Sequence, residues 1–289
     1  LTLSMLQHYY DVNDADKFDM LYKGLYIGEN PTPEHNSYLV IKLNFAVVNA
    51  ELNNYRKALD AHCNTAFNYF CDVYAQYLPL GMKEELNRKN GAVPQLDYIC
   101  TECRKANQKI YLFIDEYDHF TNKILSEPNC LDEYRSETHG TGYLRNFFDT
   151  IKSGTDSSIE RVFVTGVSPV TMDDLTSGFN IGTNYTLNPR FNEMTGFTEQ
   201  EVRDMLTYYT DFYGYHNYSI DELIEIMKPW YDNYCFAKEK FGRVTMYNSN
   251  MVLYFIDNYI GNEGVIPDNM VEDNIRVDYN KLRMLIRRD

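Results

Sequence analysis

The run "IYLFID", Ile110 to Asp115, constrains the fold more than any other stretch of the 289 residues. Five apolar residues in a row, without alternation, read as a strand covered on both faces by helices, the habit of a parallel sheet. Two further runs rich in Val, Ile, Leu and Phe have strand length: "SYLVIKLNF" at 37–45 and "RVFVTGV" at 161–167. Helical patterns separate the three. From Glu51 to Tyr77 apolar and aromatic residues recur every three or four positions with no Pro or Gly, which predicts a long amphipathic helix. A second helix is expected from Pro94 to Asn107, with Pro94 suited to a first turn, and a third over "GYLRNFFDTIKSG", closing at Gly154. Residues 1–10 have the spacing of the later turns of a buried helix, and the polar stretch 126–142 reads as a mobile connection. Strands separated by helices predict an α/β domain with a largely parallel sheet.

The character of the chain changes after about Arg190. Thr198 followed three residues later by Glu201 is a capping box, and the helix it opens runs to Gly214. Further helices are expected at 219–228, 249–259 and 268–287. The expected division is therefore an α/β core at 1–190 and a mainly helical lid subdomain at 191–289. The first residue is Leu1 rather than Met, so the chain is read as a piece of a longer one.

Composition narrows the function. A hydrophobic content of 44% supports a full core, and 26 tyrosines can bury rings while keeping hydroxyls at wet edges. The net charge of −15 opposes generic binding to a phosphate backbone, so nucleic acid is not expected to be a direct partner of this segment. The one basic cluster, "KLRMLIRR" at 281–288, reads as a helix with solvated charges. No stretch has the length and apolarity of a membrane span, and there is no signal peptide. Of the six cysteines only Cys100 and Cys103 are spaced like metal ligands or a redox pair, and no second pair completes four zinc ligands. They are read as ordinary thiols of a reduced, cytoplasmic protein.

Chemistry in an open α/β sheet sits beyond the carboxyl ends of its strands. Two strands here end in groups able to act there. One ends in Asp115-Glu116, the other in Thr165-Gly166 followed by Ser168. An apolar strand finishing in adjacent Asp and Glu is the Walker B pattern. In it the Asp holds Mg²⁺ through water and the Glu takes a proton from the attacking water. A hydroxyl at the end of the neighbouring strand suits a sensor of the γ-phosphate. The alternative is that the acid pair only marks where a buried strand meets water. Asp118 and His119 lie close by, and an isolated His after a strand is read as a surface histidine.

Taken in order, the blocks "LTLSMLQHYYD", "LYIGENPTPEHNSYLVIKLNF", "IYLFIDEYDHF", "RVFVTGVSPVTMDDLTSGFNI", "FNEMTGFTEQEV" and "WYDNYCF…MYNSNMVLYFI" resemble the AAA-ATPase-like family, found widely in anaerobic bacteria. The resemblance covers nearly the whole chain. It implies a P-loop NTPase fold with a helical lid, hydrolysis of ATP with Mg²⁺, and frequently a nuclease-like domain or partner protein attached to the ATPase part. It implies Asp115 as the magnesium-associated acid, Glu116 as the water-activating base, and Thr165 or Ser168 as the sensor hydroxyl. Arg190 is either a γ-phosphate-sensing arginine or a structural partner of Glu193. Arg145 is a candidate contact with a neighbouring subunit of a homo-oligomer.

The sequence departs from the family at its start. Members carry a glycine-rich phosphate loop just before the helix matching "LTLSML". No G-x-x-x-x-G-K-[ST] occurs in the 289 residues. The expectation is that the strand and loop belong to the parent protein, beside the sensor strand, and that a sheet without them exposes an apolar edge. The competing reading is a non-catalytic interaction module on a degenerate ATPase scaffold.

Overall fold

The computed structural model describes residues 2–48, 55–119, 142–166 and 182–271. They fall into two compact units, Leu1–Gly182 and Thr183–Asp289.

Among the described residues the first unit is built on three parallel strands in the order β1-β2-β3: β1 Leu39–Asn44, β2 Ile110–Asp115 and β3 Ile159–Val164. The expected α/β class and parallel sheet are thus found. Every apolar residue of β2 is buried, as its unbroken apolar run requires of the middle strand. Alternation sends Leu39, Ile41, Leu43, Ile110, Leu112, Ile114 and Ile159 to one face. Tyr38, Val40, Tyr111 and Phe113 go to the other, where Leu3, Leu6 and Tyr10 of α1 (Thr2–Tyr10) cover them.

The larger face is covered by α4 (Tyr55–Val73), α6 (Ala92–Lys105) and α7 (Tyr143–Thr155), with α5 (Met82–Asn87) beside α4. On α4 the residues Tyr55, Leu59, Cys63, Phe67, Phe70 and Cys71 form the buried stripe, at steps of four and three. On α7 the stripe is Leu144, Phe147, Phe148 and Ile151. Each such side chain removed from water contributes roughly 1.5–3 kcal/mol, which is what holds these helices down on the sheet. Asp60 ties three helices together: from α4 it accepts the Ala92 amide at the start of α6 (2.7 Å) and the hydroxyl of Tyr143 at the start of α7.

Several expectations are adjusted. The described part of the long helix begins at Tyr55 and ends at Val73, with a separate 3-10 turn at Ala75–Tyr77. Short helices α2 (Phe18–Tyr22) and α3 (Tyr26–Glu29) and the single turn and a half of α5 carried too few periods to stand out in the sequence. β3 starts two residues earlier than expected and stops at Val164, so Thr165 and Gly166 lie just beyond it. Gly154 does not close α7. It sits inside the helix, buried, where an added Cβ would stand 2.6 Å from Ile159 Cδ1 and 3.1 Å from Cys100 Sγ, so the glycine is there for close packing. The polar stretch expected to be mobile lies outside the described residues apart from Gly142.

Cys100 and Cys103 are free and buried on α6, and burial pushes their thiols up, that of Cys100 to about 12. Thiols so hard to ionise are inert, in keeping with the reading of ordinary cysteines.

The described residues of the second unit include the α-helices α8 (Glu199–Tyr213), α9 (Ile220–Tyr231) and α10 (Ser249–Gly261). The capping box Thr198/Glu201 opens α8, Gly214 closes it at φ +72°, and a second box, Ser219/Glu222, opens α9. Val202, Leu206, Leu223, Ile224, Met227, Val252, Phe255 and Tyr259 form its core. Of the helix expected at 268–287, residues 268–271 are not helical and the rest lies outside the described residues, together with the basic cluster. Among the described residues no helix is long and apolar enough to cross a membrane.

Candidate active site

The carboxyl ends of the three strands form a row. Asn44, the last residue of β1, stands in register with Asp115, the last residue of β2, and Thr165 follows the end of β3. Thr165 Oγ1 donates to Asp115 Oδ1 at 2.6 Å. Asn44 is braced from both sides: its side chain accepts the Ala46 amide at 2.9 Å, and its own amide donates to His62 Nε2 of α4 at 3.2 Å.

The acid pair is separated by the backbone. Thr165 N–H donates to Ile114 C=O at 2.8 Å, and regular parallel pairing would then bring the Glu116 amide back to Thr165 C=O. The Tyr117 amide makes that bond instead, at 3.1 Å, so the turn carries one residue more than the ladder needs. Glu116 absorbs the excess at φ +52°, a left-handed conformation that costs a non-glycine residue of order 1 kcal/mol. The end of the strand thus frees the second acid from the alternation of the ladder. His119 N–H closes the turn on Glu116 C=O at 3.0 Å.

Both acids are half-buried, and among the described residues neither takes part in an ion pair. The ion pairs nearest in the sheet, Lys109–Glu160 at 2.8 Å and Arg161–Glu34 at 2.6 Å, lie at the opposite, amino ends of β2 and β3. One carboxylate at a wet rim suits Mg²⁺, which retains several waters and takes only one or two protein carboxylates. Among the described residues no group of three or more His, Cys, Asp or Glu is arranged to hold a metal by itself. The glycine-rich cradle for the β- and γ-phosphates has no counterpart in the sequence.

The remaining sequence-derived positions are distributed as follows. Ser168 lies outside the described residues. His119 is exposed, as a surface histidine should be, whereas Asp118 is wholly buried. Arg145 lies on α7 and faces Asp149 one turn on, at 4.0 Å. Arg190 belongs to the second unit, exposed on the 3-10 turn Pro189–Phe191, and no described ion pair joins it to Glu193. Sequence reasoning missed Asn44, whose only signal was its place as the last polar residue of an apolar run. It also missed Asn192, which is fully buried and accepts the amides of Phe236 and Ala237, both at 3.0 Å, so it joins the "FNEM" and "YCF" segments.

Comparison with known proteins gives no curated protein and no solved structure that matches. The model of one protein family, described as a predicted AAA-ATPase, matches residues 1–176, which include β1, β2, β3 and every residue of the strand-end row. The chain belongs to this AAA-ATPase-like family.

Proposed function

We propose that this chain supplies the Walker B and sensor half of a Mg²⁺-dependent ATP-hydrolysing core. The observation that carries the reading is the 2.6 Å bond between Thr165 and Asp115 at the ends of adjacent parallel strands, with Glu116 turned out of the ladder beside it. In this reading Asp115 would hold Mg²⁺ through water, and Mg²⁺·ATP would supply an electrophilic phosphorus, the metal neutralising negative charge on the phosphate oxygens. Glu116 takes the proton of the attacking water. Thr165 has one hydroxyl proton to give, and it would be redirected from Asp115 to a phosphate oxygen of bound nucleotide.

The phosphate-binding half is assigned to a strand on the free edge of β3. In support, β3 has a described partner on one side only, and Val162, Phe163 and Val164 remain partly exposed. Hydrolysis would drive or regulate an attached nuclease-like domain or a partner protein, through ligand-dependent ordering of the lid. The free thiols fit a reducing, cytoplasmic setting.

Titration of Mg²⁺·ATP against the intact protein tests this. Asp115→Asn should lose Mg²⁺-dependent binding, and Glu116→Gln should keep binding while turnover falls by roughly 10²–10⁴-fold, the usual contribution of a general base. The second reading is an interaction module on a degenerate scaffold. Absence of nucleotide binding by the intact protein would leave that reading standing.

A further inference from the structure

Asp118 is fully buried, a rare fate for a carboxylate, and the reading above gives it no role. Its surroundings do. After β2 the chain folds back across the end of β3, held by the bond from the Tyr117 amide to Thr165 C=O at 3.1 Å. There the Tyr117 ring and the Asp118 carboxylate close over Gly166. A Cβ placed on Gly166 would lie 2.4 Å from Tyr117 Cε1, 2.5 Å from Tyr117 Cδ1 and 2.5 Å from Asp118 Oδ1. Tyr117 is 6% exposed and Asp118 0%, so neither side chain can swing out to make room. Gly166 is thus required by space, because its φ is not in the left-handed region.

We propose that Asp118 is a positioning residue of the ATPase site: with Tyr117 it forms a latch over Gly166 that fixes Thr165 against Asp115 and holds Glu116 in its left-handed turn. The latch acts on both functional groups at once. Thr165 is the residue immediately before Gly166, and Glu116 is the residue immediately before Tyr117. If the latch loosens, the carbonyl of Thr165 loses the Tyr117 amide, the turn regains freedom, and the hydroxyl and the base drift relative to each other. A displacement of about 1 Å in such a pair is worth on the order of 10²-fold in rate. The inference rests on the ATPase reading for its catalytic consequence, but not for the latch itself.

Two measurements separate the two. Hydrogen exchange needs no nucleotide: Asp118→Ala, which removes the carboxylate packed against Gly166, should lower protection of the Tyr117 and Thr165 amides while leaving Leu112, in the middle of β2, unchanged. Equal protection in the variant overturns the latch. In the intact protein, Asp118→Ala should lower kcat for ATP roughly tenfold with KM little changed, a split that general destabilisation does not produce. The loss should disappear in a Thr165→Val background if Asp118 acts through Thr165. Full kcat in Asp118→Ala, alongside an inactive Asp115→Asn, also overturns the proposal. Wild-type turnover in Asp115→Asn instead sinks the assignment of the ATPase site, and the exchange result still decides the latch. Gly166→Ala should reproduce the exchange defect, and where one of the two variants does not fold, the other carries the test.

Discussion

Thr165 Oγ1 donates to Asp115 Oδ1 across 2.6 Å, and this bond ties the end of β3 to the end of β2 where the strand-end acids emerge. A threonine hydroxyl has a single proton, so a bond given to Asp115 is not available to any ligand. The same contact is therefore a structural tie in the free protein and a donor held in reserve for the proposed nucleotide.

Thr165→Val, nearly isosteric, should lower stability by about 1 kcal/mol, the net worth of one such hydrogen bond, while Thr165→Ser should not. Asp115→Asn keeps an acceptor for the threonine and should stay within about 1 kcal/mol of wild type. Urea denaturation midpoints check both. A Thr165→Val protein as stable as wild type would mean that water replaces the bond at no cost.

Gly154→Ala should destabilise despite the better helix propensity of alanine. The propensity gain is about 1 kcal/mol, whereas forcing a methyl against Ile159 Cδ1 at 2.6 Å and Cys100 Sγ at 3.1 Å should cost roughly 1–3 kcal/mol. The net loss is read from the shift in urea midpoint. A higher midpoint would mean that Ile159 gives way.

His62 makes stability depend on pH below neutrality. Burial lowers the His62 pKa, and its Nε2 must be unprotonated to accept the Asn44 amide. The unfolded chain takes up this proton near the ordinary value of about 6.5, the folded chain only at lower pH. The contribution is therefore complete above about 6.5 and lost as pH falls towards the depressed folded value. The side chain borders a cavity of about 320 Å³ shared with Asp11 and Lys42, so solvent reaches it. Thermal melts between pH 7.5 and 5 should show a fall that His62→Gln reduces.

Asn192→Ala should be among the most damaging single changes in the second unit. It strands the amides of Phe236 and Ala237 near a fully buried position, at roughly 2–4 kcal/mol for the two. Asn192 Nδ2 has no described acceptor, so the side chain is held through its oxygen alone. Chemical denaturation followed by near-ultraviolet circular dichroism reads the loss.

The strands were legible because their signal is local. β2 needed only its unbroken apolar run, and α8 carried its own start in the Thr198/Glu201 box. Gly154 misled because a glycine near the end of a helical pattern looks the same whether it caps the helix or packs against another element. Only Ile159 and Cys100, neither adjacent in the chain, distinguish the two. Asp118 had no signal at all, since burial of a carboxylate depends on what folds over it.

By itself the sequence determined the order of apolar and helical segments, and with it the class of fold, the burial of β2 on both faces and the presence of an acid pair at its end. These follow from periodicity and local conformational preference, which neighbouring residues decide. Tertiary structure alone decided that Thr165 reaches Asp115, that Glu116 leaves the ladder at φ +52°, and that Asp118 closes over Gly166. Those relationships join residues about 50 positions apart through parallel pairing, and a register shift of one residue, invisible in the apolar pattern of β3, would abolish them all.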